Sequence, residues 1–164
     1  MTTLAELKDR FNYDPATGIF TWRNPISKKC RAGEVVGSIN KNGYLRLTFN
    51  GKRFPLHRMA WLYVYGSIPN GMVDHINGIK TDNRISNLRI ANKSQNAQNM
   101  RKARADNKCG YLGVFRNQNS AKNPWYAQIQ IDGKSRHIGC YPTPEAAHLA
   151  YIAKKRELHP FGRL

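Results

Sequence analysis

Four polar residues between positions 72 and 96 are of the types that hydrolysis of a phosphodiester requires. Asp74 stands directly before His75, and Asn87 and Asn96 follow 12 and 21 residues after that histidine. Histidine is the natural base for deprotonating a water near neutral pH, because its ordinary pKa is about 6.5. Carboxylate and carboxamide oxygens are the ligands that a hard divalent cation prefers. The stretch therefore indicates metal-assisted hydrolysis.

The spacing of these residues suggests a role for each. Asp74 and His75 are neighbours on an extended segment, so their side chains point to opposite faces. One of them would face a metal ion, and the other would face the attacking water. Asn96 falls early on the next helix and would complete the metal site. Asn87 would hold the imidazole in its productive tautomer, as outer groups do at other metal sites.

The segments around these residues predict a strand, a loop, a second strand and a helix. Val73 and Ile76 flank the Asp-His pair on a short extended piece, and "NGIKTDN" is rich in turn-forming residues. In "RISNLRIAN" apolar residues alternate with polar ones, which predicts the second strand. Asn92 or Ser94 would then cap a helix that continues to about residue 103.

Upstream, the pattern predicts short helices and strands. "LAELKDRFNYD" (4–14) has helical apolar spacing, and "GIFTWR" (18–23) is typical of a short strand. Apolar and polar residues alternate over 45–50 and lead into Asn50-Gly51, a strong two-residue hairpin signal. An apolar segment over 56–65 then predicts a helix, which Gly66 would close.

Downstream, the pattern predicts a separate small module. Residues 101–109 are charged, lack apolar periodicity and precede Gly110, which indicates a linker between a domain over 1–100 and a domain over 110–164. The second domain contains three predicted strands and a helix. Asp132-Gly133 is its hairpin signal, and Thr143 with Pro144 opens the helix. The predicted fold class is α+β.

The charge of the chain favours a polyanionic partner. Of 164 residues, 27 are Lys or Arg and 10 are Asp or Glu, which gives a formal net charge of +17 spread over both halves. Nucleic acid is the favoured partner. The alternative interpretation of the charge is that the chain is itself a basic structural protein, such as a ribosomal one. A membrane surface is disfavoured because no long amphipathic basic helix is visible. The longest apolar run, residues 59–65, is far too short to span a bilayer. With no apolar signal region at the N-terminus, the expected location is the cytoplasm.

The three cysteines do not form a metal-binding pattern. Cys30, Cys109 and Cys140 are widely spaced, and no Cys-x-x-Cys pair occurs. We therefore expect no structural zinc site, and free, partly buried thiols.

Other charged residues near the Asp-His pair are open to simpler interpretations. Asp82 is interpreted as a loop residue that caps or turns the chain. Lys80 and Arg84 would contact phosphate in DNA or remain solvated charges. His57 and Arg58 are interpreted as structural or backbone-contacting rather than catalytic.

The segment "PLHRMAWLYVYGSIPNGMVDHINGIKTDNRISNLRIANKSQN" resembles the HNH homing endonucleases of bacteriophages, and "DHINGIKTDNRISNLR" carries the strongest part of the match. The resemblance implies a ββα-metal module over about 72–100, a two-stranded hairpin and a helix around one metal ion. It implies that His75 is the general base and that Asn87 orients it. Asn96, at a position that is often histidine in the family, would join Asp74 as metal ligand.

The segment "GYLGVFRN…WYAQIQIDGKSRHIGCYPTPEAAHLAYIAKK" resembles the APETALA2/ethylene-response-factor DNA-binding domain. It shares the Gly-Val-aromatic-Arg opening, the Trp-x-Ala-x-Ile strand and the alanine-rich helix. The resemblance implies a three-stranded antiparallel sheet that is packed on one helix and binds DNA. By position, the DNA-contacting candidates are Arg116, Trp125, Gln128, Gln130 and Arg136, although Trp125 would equally suit the core.

Together these observations predict a metal-dependent homing-type DNA endonuclease. Double-stranded DNA would be the substrate, Mg²⁺ the expected ion with Mn²⁺ as the alternative, and one ion would serve each active site. One such centre cuts one strand, so a monomer, the favoured state, would nick and leave 5′-phosphate and 3′-hydroxyl ends, as the HNH resemblance implies. The alternatives are a sequence-specific DNA-binding protein with a non-catalytic HNH module and an RNA-binding structural protein.

Overall fold

The computed structural model describes residues 3–100, 103 and 107–162. These residues form four α-helices and ten β-strands, and the strands form four small antiparallel sheets. The mixed helix and sheet content confirms the predicted α+β class at that level. The chain divides into two compact units, Met1–Ala91 and Asn92–Leu164. The domain limits predicted from the sequence stay a prediction, and residues 101, 102 and 104–106 of the predicted linker lie outside the described residues.

The first unit begins with a capped helix and a hairpin. Helix α1 (Leu4–Arg10) starts at Thr3, whose side chain accepts the amide of Glu6 while the Glu6 carboxylate accepts the amide of Thr3. Strands β1 (Phe11–Asp14) and β2 (Ile19–Trp22) then pair antiparallel.

The helix predicted over residues 4–14 is too long. It ends at Arg10, and Phe11 is already extended. Phe11 and Tyr13 alternate as buried residues with exposed neighbours on β1. The pairing of this segment with β2 outweighs its local helical spacing.

A three-stranded sheet and a helix come next. Strands β3 (Ser38–Ile39), β4 (Leu45–Phe49) and β5 (Lys52–Pro55) are antiparallel. The hairpin turn predicted at Asn50 is confirmed, with a φ of 48° at that residue. Helix α2 (Leu56–Tyr65) has the predicted bounds and ends at Gly66 in the left-handed region.

The predicted second strand of the Asp-His region begins later than expected. Strands β6 (Met72–His75) and β7 (Leu88–Ala91) pair antiparallel, with His75 opposite Leu88. Residues Ile85–Asn87 form a single 3-10 turn instead of strand. This turn connects the loop after β6 to the start of β7.

The core of the first unit is rich in aromatic side chains. The Phe11 ring lies 4.8 Å from that of Trp22 and 5.5 Å from that of Phe49, measured between centroids. Around them pack the other buried members of this cluster: Leu7, Tyr13, Phe20, Val36, Leu47, Leu56, Met59, Ala60, Leu62, Val73 and Leu88.

The second unit begins with a short helix. Helix α3 (Lys93–Gln98) is capped by Asn92, whose side chain accepts the amide of Gln95. The helix predicted to continue to about residue 103 is therefore too long, because it ends at Gln98 with Asn99 as its C-cap.

A three-stranded sheet and one helix complete the second unit. Strands β8 (Val114–Arg116), β9 (Trp125–Ile131) and β10 (Lys134–Tyr141) are antiparallel with β9 in the centre. Helix α4 (Pro144–Leu158) begins at the predicted cap, Thr143. The sheet and α4 share a small core with five buried members, Val114, Ala127, Ile129, Ala147 and Tyr151. No helix in the described ranges has the length and apolarity needed to cross a membrane.

Candidate active site

Strand β6 carries Asp74 and His75, and its pairing with β7 buries both of them. Their exposed fractions are 8% and 3%. Arg89 lies directly opposite Asp74, and its Nε and Nη2 atoms donate to Oδ2 of Asp74 at 3.1 and 2.9 Å. A guanidinium charge therefore balances this buried carboxylate within the hairpin.

The imidazole of His75 lies among other rings. Its centroid is 5.1 Å from that of His57 and 5.9 Å from that of Tyr44. Its Nε2 atom is 3.1 Å from Oδ1 of Asn83. Burial lowers the pKa of His75, and the Asn83 hydrogen bond and the charge of Asp74 oppose this effect. The ring is thus neutral near neutral pH, which is the state that a general base needs.

Asn87 braces the loop between β6 and β7. Its Oδ1 accepts the amide of Asn77 at 2.9 Å, and its Nδ2 donates to Oδ1 of Asn77 at 2.9 Å and to the carbonyl of Asp82 at 2.8 Å. The carbonyl of Asn87 accepts the amide of Ile76, the residue after His75, at 2.8 Å. These bonds fix the backbone around His75, and the predicted role of orienting the imidazole stays a prediction.

Asn83 is the residue near His75 that sequence reasoning missed. It is 1% exposed, and its side chain contacts the imidazole directly. In the sequence it is a loop asparagine like its neighbours, and no periodic pattern marks it. The available signal was its place in "TDNR", between a turn and the 3-10 residues.

His57 and Arg58 occupy different surroundings. His57 is buried, and burial above all, with the charges of His75 and Arg58, lowers its pKa to about 4. Its Nδ1 is buried with no hydrogen-bond partner among the described residues. The Arg58 guanidinium donates to the carbonyls of Gly71 and Pro69, both at 3.4 Å.

Lys80 and Arg84, the candidates for phosphate contact, both have partners within the first unit. Lys80 Nζ donates to the carbonyl of Asn42 at 2.9 Å and lies 4.8 Å from the Tyr44 ring centroid. Arg84 donates to both oxygens of Asp82, at 2.8 and 2.6 Å. These bonds, with the Arg84 side chain as the main cause, lower the pKa of Asp82 to about 2.

The predicted metal ligands belong to different units. Asp74 lies on β6, and the half-buried Asn96 lies on α3, where its amide donates to the carbonyl of Asn92 at 2.9 Å. No group of three or more His, Cys, Asp or Glu side chains gathers within the described part of the chain. A carboxylate and a carboxamide still fit a hard divalent cation, because phosphate oxygens and water complete such ligand sets.

The predicted DNA-contacting residues of the sheet lie on two faces. Gln128 pairs with His137, and Gln130 pairs with Ser135, on the face opposite the core. Arg116 pairs with Trp125, and Arg136 pairs with the buried Ile129, which places them on the same side as α4. The structure thus brings the two glutamines together and separates them from both arginines. The Arg116 guanidinium lies 5.8 Å from the Trp125 ring centroid.

Comparison with known proteins identifies the region that contains the Asp-His pair. Residues 54–98 match the family model described as HNH endonuclease. An uncharacterized HNH endonuclease of Acanthamoeba polyphaga mimivirus is 32% identical over 122 residues, which are 73% of this chain and 60% of that protein. Protein 3.8 of Escherichia phage T7 is 28% identical over 104 residues, which are 63% of this chain and 83% of that protein. No solved structure matches the chain significantly.

The chain therefore spans 60% of the length of the mimivirus relative. The family match includes Asp74, His75, Asn87 and Asn96 and ends at residue 98, so the APETALA2 resemblance of residues 110–164 stays a prediction. Residues 54–98 are thus similar to an HNH endonuclease domain, and one viral relative of the chain carries that name.

Proposed function

We propose that this chain is a metal-dependent DNA endonuclease of the homing type that nicks one strand per active site. The supporting observation is the buried imidazole of His75 beside the carboxylate of Asp74 on β6, inside the segment that matches the HNH family. A neutral histidine next to a carboxylate that suits a cation is the pair that phosphodiester hydrolysis requires.

His75 removes the proton from the attacking water. Burial favours its neutral form, and the rings of His57 and Tyr44 restrict its rotation. Asn87 supports this step by holding the loop between β6 and β7, through its bonds to Asn77 and Asp82. A base held in this way needs little reorganisation when the water attacks.

Asp74 and Asn96 would hold the divalent metal, one ion per active site, with Mg²⁺ expected and Mn²⁺ as the alternative. When bound, the ion supplies positive charge against the scissile phosphate and the leaving oxygen. Arg89 already balances Asp74, so metal binding takes place in competition with an internal ion pair.

The second unit supplies binding to double-stranded DNA. Gln128 and Gln130 share the open face of the sheet, and amide side chains suit the hydrogen-bonding edges of adenine in the major groove. Arg116 and Arg136 lie on the other face and suit phosphate contacts at the edges of the sheet. The net charge of +17 adds a salt-dependent attraction to the DNA backbone.

A second candidate is a DNA-binding protein whose HNH module does not cut. The ion pair between Arg89 and Asp74, at 2.9 Å, is the observation that favours it, because a carboxylate already paired is a weaker metal ligand.

Incubation of supercoiled plasmid with the protein separates the two functions. The endonuclease converts plasmid to open circles when Mg²⁺ is present and leaves it supercoiled in a chelator. Sequencing of the nick ends should show 5′-phosphate and 3′-hydroxyl. A salt-sensitive gel shift with plasmid that stays intact in Mg²⁺ and Mn²⁺ would instead establish the non-cutting binder.

A further inference from the structure

The carboxamide of Asn83 is buried, and its oxygen atom points toward the imidazole of His75. Oδ1 lies 3.1 Å from Nε2 of the imidazole, while Nδ2 is buried without a hydrogen-bond partner among the described residues. A buried NH₂ group without a partner costs about 1–3 kcal/mol, so this orientation needs a reason. An acceptor at Nε2 keeps the proton on that nitrogen and leaves Nδ1 as the basic nitrogen.

Two hydrogen bonds to the β1–β2 hairpin hold the backbone that follows the Asn83 side chain. The hydroxyl of Tyr13 donates to the carbonyl of Asn83 at 2.7 Å, a bond that spans 70 positions of the sequence. The amide of Ile85 donates to the carbonyl of Pro15 at 3.2 Å. Tyr13 is 7% exposed, and burial raises the pKa of its phenol, so the hydroxyl stays protonated and remains a donor.

The turn of the same hairpin packs directly on the backbone at Asn83. Gly18 has a φ of 76°, and a Cβ atom placed on it would lie 2.5 Å from the carbonyl carbon of Asn83 and 2.4 Å from the amide nitrogen of Arg84. Such distances are well inside van der Waals contact, so glycine is required for this approach. The hairpin therefore contacts Asn83 through the Tyr13 side chain and the Gly18 turn, and it contacts Ile85 through the Pro15 carbonyl.

We infer that the β1–β2 hairpin is a positioning element for the general base: it fixes Asn83, and Asn83 fixes the tautomer and orientation of His75. This assigns a role to the N-terminal residues outside the HNH match at 54–98. The expected effect on cleavage rests on the proposed function. The expected effect on the tautomer of His75 does not depend on it.

The tautomer of His75 tests the inference without any reaction. In protein labelled with ¹⁵N-histidine, two-bond proton–nitrogen spectra distinguish the Nε2–H from the Nδ1–H form, and the spectrum of His75→Gln identifies the signal. We expect the Nε2–H form in the native protein and a mixture of both forms in Asn83→Leu. The Nδ1–H form in the native protein, or an unchanged pattern in Asn83→Leu, would overturn the inference even if the protein does not cut DNA.

Single-turnover nicking then measures the consequence for the reaction. Asn83→Leu should lower the cleavage rate by about 10- to 100-fold with unchanged DNA affinity, as outer groups do at related sites. Asn83→Asp should recover most of the rate above neutral pH, because a carboxylate oxygen accepts the same bond from Nε2 while its charge raises the pKa of the imidazole. An aspartate variant as slow as Asn83→Leu, with a native circular dichroism spectrum, would show that the amide NH₂ is the group that matters.

The hairpin itself is tested by removing one oxygen atom. Tyr13→Phe deletes the hydroxyl that holds the Asn83 carbonyl and should slow cleavage by about fivefold, the equivalent of one hydrogen bond. Tyr63→Phe is the matched control, because the Tyr63 ring packs 5.6 Å from that of Tyr13 in the same core. Equal rates for the two variants would contradict a positioning role for the hairpin.

Discussion

The two units of the chain differ in the exposure of their candidate functional residues, although each unit also buries some polar side chains. In the first unit, polar side chains are buried together around β6 and its loop: His57, Asp74, His75, Asn83 and Asn87. In the second unit, the sheet presents Gln128, Gln130 and His137 on its open face. A reacting group needs a fixed protonation state, which burial supplies, whereas a group that reads a partner must stay accessible.

The cores differ in the same sense. The first unit has a large aromatic core, and its burial offsets the unfavourable free energy of burying polar groups in the same unit. The core of the second unit is small, and two of its five buried apolar residues are alanines. We therefore expect substitutions that disturb packing to lower the stability of the second unit most. Changes in protonation should affect the stability of the first unit most.

Packing in the second unit is tested by Gly113→Ala. A Cβ atom at Gly113, where φ is 74°, would lie 2.1 Å from the Tyr151 ring, so this buried ring must shift within the core of the unit. The expected loss of unfolding free energy is about 3 kcal/mol. Chemical denaturation measures it, and Gly110→Ala is the control, since its φ of 75° is similar but no atom lies within 4 Å. Equal losses in both variants would attribute the effect to backbone strain alone.

Protonation in the first unit is tested by the pH dependence of stability. His57 has a pKa of about 4 in the folded chain, against 6.5 for the ordinary group. The unfolded chain therefore takes up a proton first as pH falls, so stability present above pH 6.5 is lost toward pH 4, by about 3 kcal/mol. Urea unfolding at stepped pH measures the slope.

The variant His57→Leu should flatten that slope. Part of it will remain, because burial also lowers the pKa of His75. A slope that is identical in the native protein and in His57→Leu would show that His57 does not remain neutral in the fold.

The open face of the second unit is tested by DNA affinity. Phe115 is 43% exposed, and its ring centroid lies 5.4 Å from that of Tyr126 on this face, next to Gln128. We expect Phe115→Ala and Gln128→Ala each to weaken DNA binding by about 2 kcal/mol, measured by gel shift at constant salt. Leu149→Ala, a change at a 70% exposed residue of α4, should have no effect. Equal weakening of DNA binding by all three substitutions would contradict the proposal that this face contacts DNA.

The two helix caps give the smallest expected effect and compare the units directly. Thr3 caps α1 and Asn92 caps α3, each in a reciprocal pair with the residue three positions later. Alanine at either cap should cost about 1 kcal/mol of stability. Only Asn92→Ala should also weaken Mg²⁺-dependent cleavage, because α3 carries Asn96. Equal cleavage by both variants would argue against Asn96 as a metal ligand.

The sequence predicted the elements that depend on local signals. Helix α2 has the predicted bounds, and the turns at Asn50 and Asp132 form with positive φ, because two-residue turns are specified by adjacent residues. The ends of α1 and α3 were wrong. In α1, pairing of Phe11–Asp14 with β2 replaced the helical continuation, and such pairing is set by a strand further along the chain.

In the candidate site, too, the sequence predicted the features that adjacent residues specify but not the contacts between distant residues. The adjacent Asp74 and His75 on an extended segment are visible in the sequence, and so is the loop that follows. The contact of Asn83 with His75 is not, since it depends on a tyrosine 70 positions away and on a glycine turn. The faces of Arg116 and Arg136 could not be read before the strand register was known.

Nicking of supercoiled plasmid by His75→Ala in Mg²⁺ tests the central claim most directly. With His75 as the general base, the variant loses at least about 100-fold in rate, while its gel shift and its circular dichroism spectrum match those of the native protein. Retained cleavage would contradict the assignment of the base. Loss of cleavage together with DNA binding and folded structure would show instead that His75 serves the fold.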